Sequence, residues 1–394
     1  MTFDSGSRSR GNRRPIVPAP DEQKMAVSER LRVAFDGTPL LGHRSGVGWF
    51  AYEVLRLLPQ HVDVSAYPIS GRKCDLTPQL PPGVRTHRRP RLPAGIAHRV
   101  WAHWNLFPIE GWDGNIDLVH GSNFVVPPAR KAARVVTAHD LACDGRPRQL
   151  LKKAIDEAAW VHTPTEAIRQ EIIDELGADP DRVVTVHLGT RAVEPAELAA
   201  GRALAGAEEY VLAIGDLVKR KRISWLVRAF EKVAGRQEHS ELHLVIAGAE
   251  NDDAGAVASA IASLHPDVRR RVRRLSGVSD RQRAQLLRGA RVLAHPSKYE
   301  GFGLTPLEAM SVDVPVVATE CGAVGEVCDD AARLVPLAGS PDDFAAAIDD
   351  VLVDETTRNR LIDRGRRRAA MFTWERCATE LVERIYRKAA PRSD

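Results

Sequence analysis

Short apolar runs alternate with amphipathic stretches over most of this chain. LRVAFDG (31–37) is an apolar run of strand length, and GVGWFAYEVLRLL (46–58) follows with apolar residues at helical spacing. The alternation continues through IDLVHGS (116–122), ARVVTAHD (133–140), LLKKAIDEAAW (150–160), EAIRQEIIDELG (166–177) and DRVVTVHLG (181–189). It restarts with EYVLAIGD (209–216), ISWLVRAFEKVA (223–234) and LHLVIAG (242–248). RVRRLSG (271–277), DRQRAQLLRGA (280–290), RVLAHPS (291–297), TPLEAMS (305–311) and PVVAT (315–319) complete the series. Strands that are apolar along their whole length are buried on both faces, which is the mark of parallel sheets covered by helices. Two such series, joined near the Ala- and Glu-rich stretch 192–207, predict an α/β chain of two doubly wound, Rossmann-like domains facing a central cleft. The expected division is 31–195 for the N-terminal domain, 196–373 for the C-terminal domain and 374–390 for a last helix. Residues 1–30, rich in Ser, Arg, Pro and Gly, are expected to form a disordered tail.

Composition narrows the class of protein. With 44% hydrophobic and 27% charged residues over 394 positions, the profile is that of a soluble globular chain. No apolar run approaches the length needed to span a bilayer. Basic and acidic residues number 56 and 52, and a net charge of +4 is too weak a bias to indicate nucleic acid. The five cysteines, Cys74, Cys143, Cys321, Cys328 and Cys377, are odd in number and form no C-x-x-C pair, so free thiols in a reducing cytoplasm are expected. The Arg13–Arg14 pair is followed by no apolar stretch, which argues against an export signal.

In doubly wound sheets ligands bind beyond the carboxyl ends of the strands, and the candidate chemistry lies there. His120 ends one predicted strand, His139 and Asp140 end another, and Gly215 and Asp216 end a third. His120 reads as a hydrogen-bonded structural residue, whereas His139 gains weight from its ionisable neighbour at the cleft edge. PSKYEGFGLTPLEAM (296–310) places Glu300 and Glu308 on either side of Gly301 and Gly303, just before a helix. The glycines allow a tight turn and close approach of the backbone, with Thr305 expected as N-cap and Pro306 in the first turn. Free N–H groups at such a helix start favour an anion, and the flanking carboxylates can accept from hydroxyls. GDLVKRKR (215–222) again follows a strand, and its four basic residues at a helix start oppose the macrodipole unless an anion sits there. A phosphate held between hydroxyl-reading carboxylates describes a sugar nucleotide. A solvated loop with a capping acid is the plain structural alternative.

These motifs, in this order, resemble the retaining glycosyltransferases of GT-B fold, specifically their large fourth family, whose signature is two glutamates separated by seven residues. The likeness extends from about residue 31 to 388 through GVG (46–48), DLVHGSNFVVPP (117–128), VVTAHDL (135–141), HTPTEAIRQEI (162–172), VHLGT (186–190), GDLVKRKR, LSGVSD (275–280) and GAVGEV (322–327). It implies that Arg220 and Lys221 bind the donor diphosphate, with Gly215 at the strand end beside them. Glu308 would hold the ribose hydroxyls, and Glu300 with the backbone of Phe302, Gly303 and Leu304 the sugar and phosphate. The backbone around Val278 would meet the base, His139 would face the donor sugar, and Gly46 and Gly48 would let the first loop approach the phosphates. FTWERCATELVERIYRKA looks like the family's last helix, which crosses back to the N-terminal domain. Two departures stand out: Asp216 replaces an Arg or Thr common in the family, and Gly325 replaces a proline, although Glu326 remains.

The expected activity is transfer of a hexose from a nucleotide diphosphate sugar to an acceptor hydroxyl, with retention, no cofactor and no metal. Attack would come from the leaving-group face, the departing phosphate taking the acceptor proton, with no side-chain nucleophile required. The one D-x-D, Asp179-Pro-Asp181, lies in a helix-to-strand turn, and turn chemistry accounts for it. A glycosidase pair would lack the basic cluster. A sugar-nucleotide epimerase would share the cleft. VRRRVRR (268–274) and RTHRRPRLPAGIAHRVWAHW (85–104) keep open a non-catalytic protein that binds nucleic acid or an anionic membrane surface. The acceptor, whether lipid, polysaccharide or natural product, is left open, nucleic acid is not expected, and the expected location is cytoplasmic with weak peripheral contact at the inner membrane face.

Overall fold

The computed structural model describes residues 30–42, 44–70, 76–86, 93–113, 115–142 and 145–390; the expected tail up to residue 29, Cys74 and Cys143 lie outside them. The N-terminal sheet has seven strands: β1 (Arg32–Asp36), β2 (Asp63–Tyr67), β3 (Arg85–Thr86), β4 (Leu118–Gly121), β5 (Ala133–Thr137), β6 (Trp160–Thr163) and β7 (Val183–Thr185). The second sheet has six: β8 (Tyr210–Ile214), β9 (His243–Ala247), β10 (Val272–Leu275), β11 (Val292–His295), β12 (Val316–Glu320) and β13 (Arg333–Pro336). Their orders are β3-β2-β1-β4-β5-β6-β7 and β10-β9-β8-β11-β12-β13, with parallel pairing throughout. These are the two doubly wound domains that the apolar runs predict. The winding reverses between β1 and β4 and between β8 and β11, so a crevice opens at each of those carboxyl ends.

Four strands lie outside the apolar pattern. β2 carries an exposed residue and a half-exposed one in five, and β3 is two exposed residues at the sheet edge. β13 exposes both its ends. β6 is hidden in the expected helix 150–160, because the observed helix Arg146–Asp156 ends earlier and the chain turns through Ala158 at φ 61° into a four-residue strand. Short strands leave too few positions for a period of two to register.

The C-terminal segment ties the two halves together. The helix Trp374–Glu380 and the π-helical turn Leu381–Tyr386 bury Trp374, Leu381, Ile385 and Tyr386. Gly189 leaves the space that Trp374 occupies, since a Cβ there would overlap its ring. Tyr386 meets a buried polar chain that runs across β4, β5 and β6. Its hydroxyl lies 2.6 Å from His120 Nδ1, and His120 Nε2 lies 2.8 Å from Thr137 Oγ1. Thr137 Oγ1 lies 3.0 Å from His162 Nδ1, and His162 Nε2 lies 2.8 Å from the Val186 carbonyl. A carbonyl only accepts, so each donor in the chain is set by the next, from Tyr386 O–H through to His162 Nε2–H. Burial keeps both imidazoles neutral, pushing His162 down to about 3 and His120 well below its ordinary value. His120 is structural, as its sequence position suggests.

Tyr386→Phe removes the one donor to His120 Nδ1 and leaves a buried acceptor unpaired. The expected cost is about 1–3 kcal/mol, read from the shift of the denaturant midpoint. An unchanged midpoint would show that the hydroxyl contributes nothing there.

Candidate active site

The carboxyl ends of β8 and β11 meet the first loop of the N-terminal domain around a cavity of about 720 Å³. Gly46, Gly215, Arg220, Lys221, Val278, Leu304 and Glu308 all line it. Gly215 has φ 143°, and a Cβ at Gly248 would overlap its carbonyl, so glycine is required at both strand ends for so close a packing.

After β8 the chain makes a short 3₁₀ turn over Lys219–Lys221, and Arg222 in the left-handed region (φ 51°) starts the helix Ile223–Ala234. Lys221 Nζ lies 2.5 Å from Glu300 Oε1, and Arg220 Nη1 lies 3.1 Å from Glu300 Oε2. Arg220 also donates to the Tyr299 carbonyl at 3.2 Å. His295 Nε2 lies 3.4 Å from Glu300 Oε1 without the alignment of a full hydrogen bond. Burial opposes ionisation of Glu300, but Lys221, His295 and Arg220 outweigh it and hold the carboxyl well below the usual range. The anion demanded by the basic turn is therefore, in the free protein, Glu300 itself. Lys219 is exposed, and Arg222 stacks on Trp225 at 4.0 Å.

Glu308 lies deeper than its sequence position suggests. The helix runs Leu304–Met310 with Gly303 (φ 111°) as N-cap, so Thr305 is not the cap and Glu308 falls just past the first turn. Thr305 Oγ1 instead accepts from Arg283 at 3.1 Å, and no side chain caps the helix, which leaves its first N–H groups open. Glu308 is 2% exposed and ion-paired with Arg283, yet its Oε2 has no aligned donor. Burial raises its carboxyl against the pull of Arg283 and Arg191. That Oε2 is the oxygen in contact with the Arg283 guanidinium, so Glu308 stands at the cavity already charge-paired, with acceptor capacity for a ligand hydroxyl.

The remaining expected residues, Glu300, Phe302, Gly303, His139 and Gly48, are not part of the cavity lining. Glu300 lies beneath the cation pair, and Phe302 is packed with His187 and Phe372, at 6.4 and 5.6 Å between ring centroids. Gly48 is packed rather than lining, since a Cβ there would sit 3.0 Å from the Pro39 carbonyl. His139 is 9% exposed, edge-on to Phe50 at 5.0 Å, and its Nε2 donates to the Ser122 carbonyl at 3.0 Å. Burial takes its imidazole down to about 4, so it is neutral at pH 7. Asp216 lines the cavity, and its Oδ1 accepts from the Ala249 N–H at 3.2 Å.

Contacts between the domains fix the Glu300 loop. The Tyr299 hydroxyl accepts from Leu141 N–H at 2.7 Å and donates to Glu171 Oε2 at 2.7 Å. Thr165 Oγ1 donates to the Gly301 carbonyl at 3.1 Å, and a Cβ on Gly301 would overlap the His139 carbonyl. Glu326 accepts from the N–H groups of Glu166 and Ala167, both at 3.0 Å, and from His187 Nε2 at 2.9 Å. It thus caps an N-terminal-domain helix from the other domain.

Sequence reasoning passed over Arg44, Trp49, Arg191, Arg283 and Tyr299. Arg283 was legible in part, because the Ser279–Gln282 capping box marks the start of its helix after β10. Arg191 pairs with Asp280 at 2.7 Å and covers the Trp49 ring at 4.1 Å, while Arg44 covers Tyr52 at 4.0 Å. Nothing local in the sequence signals those encounters. Among the described residues, Glu238, His239 and Asp349 are close enough together to share an ion, but Arg236 and His239 already bond Asp349.

Two parallel sheets with opposed carboxyl edges and a cationic, glycine-walled cavity between them define a GT-B enzyme that works on nucleotide sugars. The chain belongs to the glycosyltransferases: residues 197–368 match the family described as glycosyl transferases group 1, and residues 44–192 that described as glycosyltransferase family 4. It is 33% identical to a D-inositol 3-phosphate glycosyltransferase of Kineococcus radiotolerans over 74% of this chain and 71% of the relative. It is 29% identical to O-antigen chain mannosyltransferase B of Escherichia coli over 67% and 73% of the two chains. The fold is that of the sucrose-phosphate synthase of Thermosynechococcus elongatus, with a TM-score of 0.67 and 18% identity over 91% of this chain and 99% of the other. The epimerase and non-catalytic readings give way to this assignment.

Tyr299→Phe keeps the ring but unties the Glu300 loop from the N-terminal domain. Misplacing a positioning group costs up to about 10²-fold, so turnover should fall by about 10- to 100-fold. Affinity for a nucleoside diphosphate, measured by calorimetry, should be nearly unchanged. Equal losses in both would place Tyr299 in general folding instead.

Proposed function

We propose that the chain transfers a hexose, with retention and without a required metal, from a nucleotide diphosphate sugar bound between Arg220–Lys221 and Glu308. The observation that carries this reading is a pair of cation-compensated carboxylates at the cavity, Glu308 on its wall paired with Arg283 and Glu300 behind Arg220 and Lys221. Arg220 and Lys221 meet the diphosphate, and the open N–H groups of Leu304 and Thr305 face the same anion. Glu308 accepts from the ribose hydroxyls, and the backbone at Val278 meets the base. Glu300, with the backbone of Phe302, Gly303 and Leu304, orients the sugar, which neutral His139 faces from the other domain.

Cleavage of the sugar–phosphate bond leaves negative charge on the diphosphate and positive character on the sugar. Fixed cations and N–H donors stabilise that charge without reorganising, and such preorganisation is the strongest means of lowering the barrier that the site offers. The protein's own guanidinium and ammonium groups supply the charge that a divalent ion supplies elsewhere, which supports a reaction without one. The acceptor hydroxyl attacks from the face the diphosphate leaves, and its proton passes to the departing phosphate oxygen. The division at 195/196 and the assignment of 374–390 to a returning helix belong to the same reading, as does a cytoplasmic location. Among the described residues, no helix is long and apolar enough to cross a membrane.

Lys221→Ala should lower turnover by about 10²–10³-fold. Arg220 and His295 still face Glu300, so the melting temperature should move far less, and an unchanged rate would remove the phosphate role. A thermal-shift panel of nucleoside diphosphates and their sugars tests donor binding. A ligand at a hundred times its Kd stabilises by about 2.7 kcal/mol, and Glu308→Ala should abolish that shift. Inversion in the product NMR spectrum, or activity lost to chelation and rescued by a divalent ion, would overturn the mechanism.

A further inference from the structure

His295 is the member of the Glu300 cluster to which the proposed reaction gives no task. It ends β11, is buried, and presents Nε2 to Glu300 Oε1 across 3.4 Å, the same oxygen that Lys221 reaches. That Nε2 is closed off from solvent and has no aligned hydrogen bond. Burial weighs most on the imidazole and keeps it neutral, while Glu300 draws a proton toward it and Lys221 and Arg220 repel one. The free protein thus holds a buried imidazole beside a buried carboxylate, with the hydrogen bond between them unmade.

The arrival of a nucleotide sugar changes that balance. Glu300 faces two cations, Lys221 and Arg220, so the free cluster is one charge positive. The diphosphate of a nucleotide sugar carries two negative charges, and on the same cations it leaves the cluster one charge negative. A buried imbalance of charge is costly. The other titratable neighbours bring no positive charge to meet it. Asp140, just past β5, is itself an acid near Arg220 and Glu300, and its Oδ1 accepts from the Ala142 N–H at 3.1 Å. The Cys321 thiol, before the helix Gly322–Cys328, is pushed up to about 11 by burial and is neutral at pH 7. His139 already donates to the Ser122 carbonyl. His295 is left as the group beside Glu300 that can gain charge, and phosphate would neutralise the two cations that repel its proton. We propose that donor binding draws one proton from solvent into this pair, where it lies between His295 Nε2 and Glu300 Oε1. The proton makes the missing hydrogen bond and keeps Glu300 compensated while Lys221 and Arg220 serve the diphosphate. No covalent bond between heavy atoms changes, and the proton returns to solvent when the site empties. His295 is therefore a positioning residue that acts on the sugar through Glu300. The proposal rests on the donor-site reading and adds a proton that the reading alone does not require.

The test is calorimetric titration of the full chain with UDP-, GDP-, ADP- and dTDP-linked hexoses at pH 7, in two buffers of different ionisation enthalpy. Phosphates in such diesters do not titrate near neutrality, so a proton taken up enters the protein. About one proton should accompany the ligand that binds, and its affinity should fall by up to about tenfold per unit of pH between pH 6 and 8. His295→Gln keeps a polar side chain that does not titrate. It should take up no proton, and its affinity should stay level over the same range. A merely structural histidine would change affinity or melting temperature and leave the proton count as it was. A second measurement needs no variant: one histidine Cε1–H resonance of the wild type should move toward its imidazolium position on binding. Binding without proton uptake, or without that movement, overturns the proposal and leaves the donor site standing. Uptake that persists in His295→Gln, or is lost in Asp140→Asn instead, overturns it as well. If none of the four ligands binds, the donor site falls and the proposal with it.

Discussion

A carboxylate with only 11% of its side chain exposed, as in Glu300, must be compensated, and much of the candidate site follows from how this chain does it. Leaving such a charge unpaired costs several kcal/mol, so the turn after β8 and the loop after β11 are held to each other by Lys221, Arg220 and His295. β8 and β11 are neighbours across the reversal of winding, so two segments about eighty residues apart in sequence arrive together. The cations are therefore in place before any donor arrives. In the proposed reaction an incoming diphosphate would share them with Glu300. Assembly of the cluster in advance is what makes it electrostatically useful.

The same loop is also held from the opposite domain. Tyr299 reaches Leu141 and Glu171, Gly301 packs on the backbone of His139, and Glu326 caps the helix that begins at Glu166. Glycine at 301 is a requirement of this contact, because any side chain there would push the domains apart. The position of Glu300 thus depends on the spacing of the domains, which links closure of the cleft to the geometry around the proposed sugar site. Behind it, the hydrogen-bonded series from Tyr386 to Val186 fixes the C-terminal segment on the N-terminal sheet and ties three of its strands to one another. Each histidine in that series is neutral, so every proton is used once and no charge is left in the core.

The helix Ala94–His103 packs Ala97 and Trp101 into the core of the N-terminal domain. Its inward side is fixed by Trp101 and Lys153.

Much of this protein was determined by sequence alone. Continuous apolar strands such as YVLAI and HLVIA can be satisfied only by burial on both faces, so their alternation with amphipathic helices already implied two doubly wound sheets with ligands at the strand ends. The glycine-flanked glutamates and the basic turn were visible for the same reason, because their chemistry is written in adjacent residues. Short strands such as β6 were not, since four positions cannot display a period. Nor could sequence pair Arg220 and Lys221 with Glu300, Arg283 with Glu308, or Tyr299 with Glu171, each of which joins residues that only the folded chain makes neighbours. The tertiary structure alone decided that the anion answering the basic turn is the protein's own carboxylate. Local pattern reports propensity and periodicity, whereas the compensation of a buried charge depends on which distant groups the fold brings within a few ångströms.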